Sequence, residues 1–364
     1  MFMRICFPLS KCCCRNGGAA LGAALLLGAC ATSAKKDGSA FVYFPPPPDE
    51  PRLQFLRSFS SGKGLGGSGT FTEFLVGKET GNFPIAKPYG LAAAPGKLFI
   101  CDTEMGALEV VDLNRNRLAY FKPRGESYLG LPMNVAVDAD GTRYVTDTKR
   151  EQVLIYDAKG NYLASLGQRD EMKPVGVAVF QNRLYVTDIK NHLVRVYNKA
   201  TRQLTFTVPR SAEAEKGRLF QPTNIAIDAG GRMIVSDTGG FSIQIYDPEG
   251  KHLQTVGEMG LTPGKFALPK GVAVDREGRF YVVDAKTQYV QLFDAEGKVL
   301  MYLGDPKSEG PGSTSLPAGV TVDYANVKYF EKYAAPGFKV EYLVYVVNQF
   351  GPHKISVFGF GKKS

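Results

Sequence analysis

Five aspartates stand at the ends of short apolar runs. Asp102 follows Leu98-Phe99-Ile100-Cys101, Asp147 follows Tyr144-Val145-Thr146, and Asp188, Asp237 and Asp284 end similar segments. A sixth run, ending at Val347, carries Asn348 in that place. Carboxylates converging on one axis could hold a divalent cation or share a proton. The same side chains can instead accept backbone N–H groups at a strand end. A reactive site needs different groups at different places, whereas a local backbone need recurs unchanged, so the uniformity of these residues favours the structural role. Histidine is scarce: His192, His252 and His353 fall in separate turns and cannot share one metal. No serine lies in a nucleophile-elbow pattern. Asp138-Ala139-Asp140-Gly141 lacks the further carboxylates and distal Glu of a calcium loop. Gly62-Lys63-Gly64-Leu65-Gly66-Gly67 matches a dinucleotide pattern but lacks the helix that must follow. The residues therefore name no catalytic group, no metal site and no cofactor.

The elements that must position these aspartates repeat along the chain. Each unit opens with Pro-x-Gly or Pro-x-Asn, beginning at Pro88, Pro132, Pro174, Pro222, Pro269 and Pro317, with steps of 44, 42, 48, 47 and 48 residues. Gly and Asn tolerate positive φ, which predicts a fixed backbone kink there. A strand of small and branched residues follows, such as Val135-Ala136-Val137, and the recurrent Ala predicts a crowded position near an axis. Asp-x-x-Gly recurs at Asp138, Asp157, Asp228, Asp247, Asp275 and Asp294 and predicts tight hairpins. Four antiparallel strands per unit, in six units of about 45 residues, predict an all-β, six-bladed β-propeller. The last unit ends on its third strand, Ile355 to Phe360, and Leu53 to Phe59 is an orphan strand near the start. The simplest closure has that N-terminal strand completing the sixth blade and removing its free edge.

Asn191-His192-Leu193, just after Asp188, spells the motif for which NHL repeats are named, and the units resemble that family from about residue 51 to the C-terminus. The resemblance implies a propeller whose function is open, since NHL propellers include protein-binding modules, RNA binders and a few enzymes. Zinc amidating-lyase relatives need several axial histidines, which are lacking here. Gluconolactonase-like relatives hold a divalent ion with Glu, Asn and Asp at the inner mouth; Asn134 and Asn224 are present but no inner Glu. The sixth unit departs from its siblings by an insertion of about residues 324–340, rich in Tyr, Phe and Lys, which is either functional or a covering flap.

The start of the chain carries an address. Arg4, Lys11 and Arg15 precede the Gly/Ala/Leu run from Gly17 to Gly28, too short to span a membrane. Leu27-Gly28-Ala29-Cys30 resembles a bacterial lipobox, which implies cleavage after residue 29, acylation of Cys30 and export. Ala31, rather than an inner-membrane retention Asp, favours the outer membrane where a cell has two. Residues 30–50 read as a lipid-anchored linker, its Pro45-Pro46-Pro47-Pro48 run an extended polyproline rod, and residues 51–364 as the propeller. Cys6, Cys12, Cys13 and Cys14 leave with the leader, so the one remaining thiol, Cys101, can form no internal disulfide. Losing three basic residues lowers the net charge from +9 to +6, mildly basic and without the Lys/Arg run of a nucleic-acid binder. The residues that vary between units are Tyr89 and Lys270 at the kinks and Lys149, Arg150, Lys190, His192 and Lys286 after the Asp; with Asn134 and Asn224 they form the expected binding face. The expected function is an envelope-anchored, non-catalytic scaffold binding a protein or a polysaccharide-like polymer; the alternative is a metal-dependent hydrolase or lyase of the gluconolactonase-like type.

Overall fold

Runs rich in Val, Ile and Tyr suit a pleated sheet packed on both faces. The computed structural model describes residues 41–65, 83–210 and 216–363. Cys30 and the leader lie outside the described residues, as does the stretch from residue 66 to 82. Within them the strands form six antiparallel sheets, and their first strands touch one another in a closed ring. Blade 3 shows the common order from axis to rim: Pro174–Phe180, Arg183–Asp188, Leu193–Asn198 and Leu204–Val208. This is a six-bladed β-propeller.

The core is divided among the seams. Six clusters of buried apolar side chains each lie between two neighbouring blades. Alternation along a strand sends successive side chains to opposite seams. In blade 2, Tyr144 and Val153 face blade 3, while Val145 and Leu154 face blade 1. Hydroxyls tie the seams as well: Thr146 donates to Val175 O at 2.6 Å and Thr321 to Leu91 O at 2.6 Å, each across to the next blade.

The kinks are real, but their cause differs from the expected one. Each innermost strand is bulged at its start, for instance between Pro132 and Asn134 and between Pro269 and Val272. None of Gly90, Asn134, Gly176, Asn224, Gly271 or Gly319 has positive φ. What requires glycine is the next blade's backbone. A Cβ on Gly90 would lie 2.6 Å from Met133 O, and one on Gly319 would lie 2.5 Å from Tyr89 O. The Asp-x-x-Gly hairpins do use left-handed glycine, with φ of +84° at Gly141 and +83° at Gly231.

The ring closes from the N-terminus. Leu53–Phe59 pairs antiparallel with Ile355–Lys363 and supplies the fourth strand of blade 6. Tyr43–Phe44 adds a fifth, paired through Tyr43 with Gln54 and Phe44 with Leu53. The four prolines are therefore the turn of a hairpin, held by Arg52 N–H to Phe44 O at 3.0 Å, and not an extended rod. The strand-forming Phe41-Val42-Tyr43-Phe44 segment overrides the polyproline preference because its aromatics find partners, Phe44 meeting Phe358 at 5.8 Å between centroids.

The blade 6 insertion is a strap across one seam. A short helix, Val327–Phe330, and the turn Glu331–Tyr333 fill residues between Asp323 and the long strand Phe338–Asn348. Residues 338–340 belong to that strand, so the excursion proper ends at 337. Buried Asn326 accepts Gly96 N–H at 2.7 Å and donates to Ala94 O at 3.0 Å, both in blade 1. Cys101 is a buried free thiol, its pKa pushed up by burial and by nearby Asp147, Asp102 and Glu109.

Candidate ligand-binding mouth of the propeller

The strand-end aspartates are spent on backbone. Asp147 accepts the N–H groups of Gly130 and Leu131 before its blade and of Lys149 and Arg150 in the following turn, at 2.6–3.1 Å. Asp102 does the same with Ala86, Lys87, Glu104 and Met105, and Asp284 with Ala267, Leu268, Lys286 and Thr287. Each carboxylate thus ties the entry of its blade to the turn beyond its second strand, which is why the residue repeats. Asn348 manages part of this, accepting from Ser315 N–H at 3.2 Å and donating to His353 O at 2.7 Å. Among the described residues, no three His, Cys, Asp or Glu side chains are grouped to hold a metal ion.

The Asn191-His192-Leu193 stretch is built into the same frame. Asn191 Nδ2 and Arg195 Nε both donate to Asp188 Oδ2, at 2.7 and 2.9 Å. His192 has φ of +58°, and the turn position four after the Asp is left-handed also at Glu151, Phe241 and Gln288. Its Nδ1 meets Phe220 O of blade 4. Lys190 pairs with Asp170 at 3.7 Å. Arg150 is likewise engaged, donating to Glu126 O, Tyr128 O and Gln152 Oε1 and covering the Tyr128 ring at 4.6 Å. Lys149 and Lys286 are exposed on the rim. Asn134 and Asn224 are buried, each accepting the next residue's N–H at 2.8 Å, and line the top of the axial channel. That channel, of about 300 Å³, runs below them between Ala136, Ala178, Ala226, Ala273 and Thr321, where the crowded small residues were expected.

Of the expected residues, the structure brings Tyr89 and Lys270 together. They occupy the same kink position in blades 1 and 5, and between them blade 6 has only the buried Ala318. The Lys270 ammonium lies 5.3 Å from the Tyr89 ring centroid. Burial, and then the neighbouring Lys87, hold the Lys270 pKa below its ordinary value. Burial pushes the Tyr89 phenol up to about 12, so it stays a neutral O–H. Three further residues join them that the repeat pattern did not single out. Lys87 and Lys354 place their ammonium groups 5.7 and 5.9 Å from the ring of Phe350, which is 52% exposed. Lys354 also donates to Ala86 O and Gln349 O at 2.7 Å. The available signal was an aromatic two residues past Asn348, where the sibling turns carry Glu104, Lys149, Lys190, Gly239 and Lys286.

Negative charge at the mouth lies beside Lys354, whose pKa burial lowers and whose charged form is favoured by Asp102, Glu104 and Glu109. Among the described residues neither Lys87 nor Lys270 has a carboxylate within ion-pair distance. Nearby Asp102 is occupied by four backbone N–H groups. Glu109 is buried with neither carboxyl oxygen conventionally hydrogen-bonded; burial, with Asp102 beside it, raises its pKa to about 10 and keeps it protonated. A pair of half-buried lysines over aromatic faces, with no carboxylate at ion-pair distance among the described residues, suits an anion.

Comparison with known proteins agrees with this architecture. The NHL repeat family model matches residues 172–197, the first three strands of blade 3. The chain is a six-bladed β-propeller that carries an NHL repeat in its third blade. A solved protein of unknown function from Bacteroides thetaiotaomicron is 17% identical, with a TM-score of 0.58, over 85% of this chain and 75% of that one. A streptogramin B lyase is 14% identical with a TM-score of 0.52, over 76% of this chain and 95% of its own. The virginiamycin B lyase of Staphylococcus aureus is 11% identical with a TM-score of 0.51, over 76% and 95%. At such identities these likenesses concern the fold alone. No curated protein sequence matches the chain at a significant level.

Proposed function

We propose that this protein is a non-catalytic binding propeller, attached to the cell envelope through an acylated Cys30 and presenting its channel mouth to a protein or envelope polymer. One observation carries the reading: beneath the mouth the blades repeat, whereas the six residues around it differ. They are Tyr89, Met133, Val175, Thr223, Lys270 and Ala318. The groups richest in chemistry, the strand-end carboxylates, are already committed to backbone amides. In a cell with two membranes, Ala31 after Cys30 supports the outer one.

The test is capture from solubilised envelope with the full chain as bait, over a range of salt. A partner enriched by the wild type is the expected result, and none at any ionic strength would overturn the reading. In the same preparation Cys30→Ser is expected to move the protein from the membrane to the soluble fraction; unchanged fractionation would remove the anchor. The lyases that share the fold keep one competing reading open. A divalent ion retained in stoichiometric amount, found by elemental analysis after chelator-free purification, would favour it.

A further inference from the structure

We infer that the mouth receives a carboxylate from an acidic segment of a partner protein, held by Lys87 and Lys270 beside the exposed ring of Phe350. This rests on the binding reading above and names the chemistry of its ligand. At blade 6 the kink residue is the small, fully buried Ala318, and over it the larger mouth residues of blades 5 and 1 meet. Lys270 leans across Ala318 onto Tyr89, and Lys87 leans onto Phe350 on the same side of the ring. Both lysines are half-buried, and Lys87 is near enough to disfavour the charged form of Lys270. An incoming carboxylate relieves that repulsion and makes charge-assisted hydrogen bonds in a partly desolvated site.

The surroundings of the two lysines favour a peptide over a linear polyanion. Among the other cations of this face, Arg150 is engaged by carbonyl oxygens, Lys190 by Asp170, and Arg195 by Asp188 and Glu171, while Lys149 and Lys286 stand exposed. Lys87 and Lys270 differ from Lys149 and Lys286 in being half-buried and set against aromatic rings, whereas a polyanion follows a row of solvated cations. A point charge beside an exposed aromatic is the form of a protein-recognition anchor, in which a buried polar contact sits within apolar area.

The test uses the purified full chain and three probes, followed by NMR or calorimetric titration: acetyl-Phe-Glu-Phe-amide, its Gln analogue, and polygalacturonate as a linear polyanion. The Glu peptide is expected to bind roughly tenfold more tightly than the Gln peptide, and Lys87→Gln or Lys270→Gln to weaken it by a similar factor. Lys159→Gln, on the opposite face, should leave it unchanged. Circular dichroism and melting of each variant check that the fold survives. Equal binding of the Gln peptide, indifference to both lysine substitutions, or tighter binding of polygalacturonate would each overturn the inference. Envelope capture separates the two levels. A partner retained equally by Lys270→Gln sinks the carboxylate site while the binding reading stands. A partner lost with Lys270→Gln supports both.

Discussion

Glu109 shows what a single residue decides in a repeat protein. Its place opposite Ile100 on the third strand of blade 1 is taken by Gln244, opposite Val235, in blade 4 and by Gln291, opposite Val282, in blade 5. Those amides are hydrogen-bonded; Glu109 has Asp102 for a neighbour and must keep its proton. The unfolded chain ionises a glutamate near pH 4.3, whereas the folded one does so at about 10. Its contribution to stability is complete below the lower value. It is then lost as pH rises, because the folded state holds a proton that the unfolded state releases. Glu109→Gln is expected to remove that slope and to stabilise the protein at pH 8 by an amount on the order of 5 kcal/mol at most, with little change at pH 4. Urea unfolding at both pH values measures it; an unchanged or steeper pH dependence would show that Glu109 is ionised in the fold.

At the scale of elements, the blade 6 strap is the departure from repetition with the clearest consequence. Phe330 is buried in the seam between blades 6 and 1, and Asn326 completes the hydrogen bonding of the Ala94–Gly96 hairpin. Asn326→Ala leaves a buried N–H and a carbonyl without partners, which should cost about 2–4 kcal/mol. The loss is expected to appear as faster hydrogen exchange at Gly96 and along Lys97–Asp102, with the seam between blades 3 and 4 unaffected. Uniform loss of protection in all blades would mean that the strap carries no local role. The strap had two open readings because length alone marks an insertion and says nothing about what it covers.

For the whole molecule, closure is the decisive contact. Leu53, Leu56 and Phe59 are buried, and each such side chain is worth about 1.5–3 kcal/mol. Their sum is comparable with the roughly 5–15 kcal/mol that holds a typical domain folded. Deleting residues 41–59 should therefore abolish the cooperative melt and expose the Ile355–Lys363 edge to aggregation. A soluble variant with a native melting curve would show that five complete blades suffice.

What the sequence determined by itself was the periodic part: six units, four strands each, the Asp-x-x-Gly hairpins and the closing strand. These are set by local backbone needs and by alternation, and both leave a mark in every copy. The role of Asp147 and its siblings was legible for the same reason. Tertiary structure decided what involves two blades at once. Gly90 is glycine because Met133 crowds it from the next blade, although its residue type alone pointed to positive φ. The prolines became a turn because Tyr43–Phe44 found an edge to pair with. Lys190 and His192, the most individual residues of their stretch, found partners in Asp170 and Phe220 O, whereas Lys87, Lys270 and Phe350 were left together with no ion-pair partner among the described residues. Such a grouping has no sequence period, because it is assembled across the closure of the ring, from the fifth, sixth and first blades.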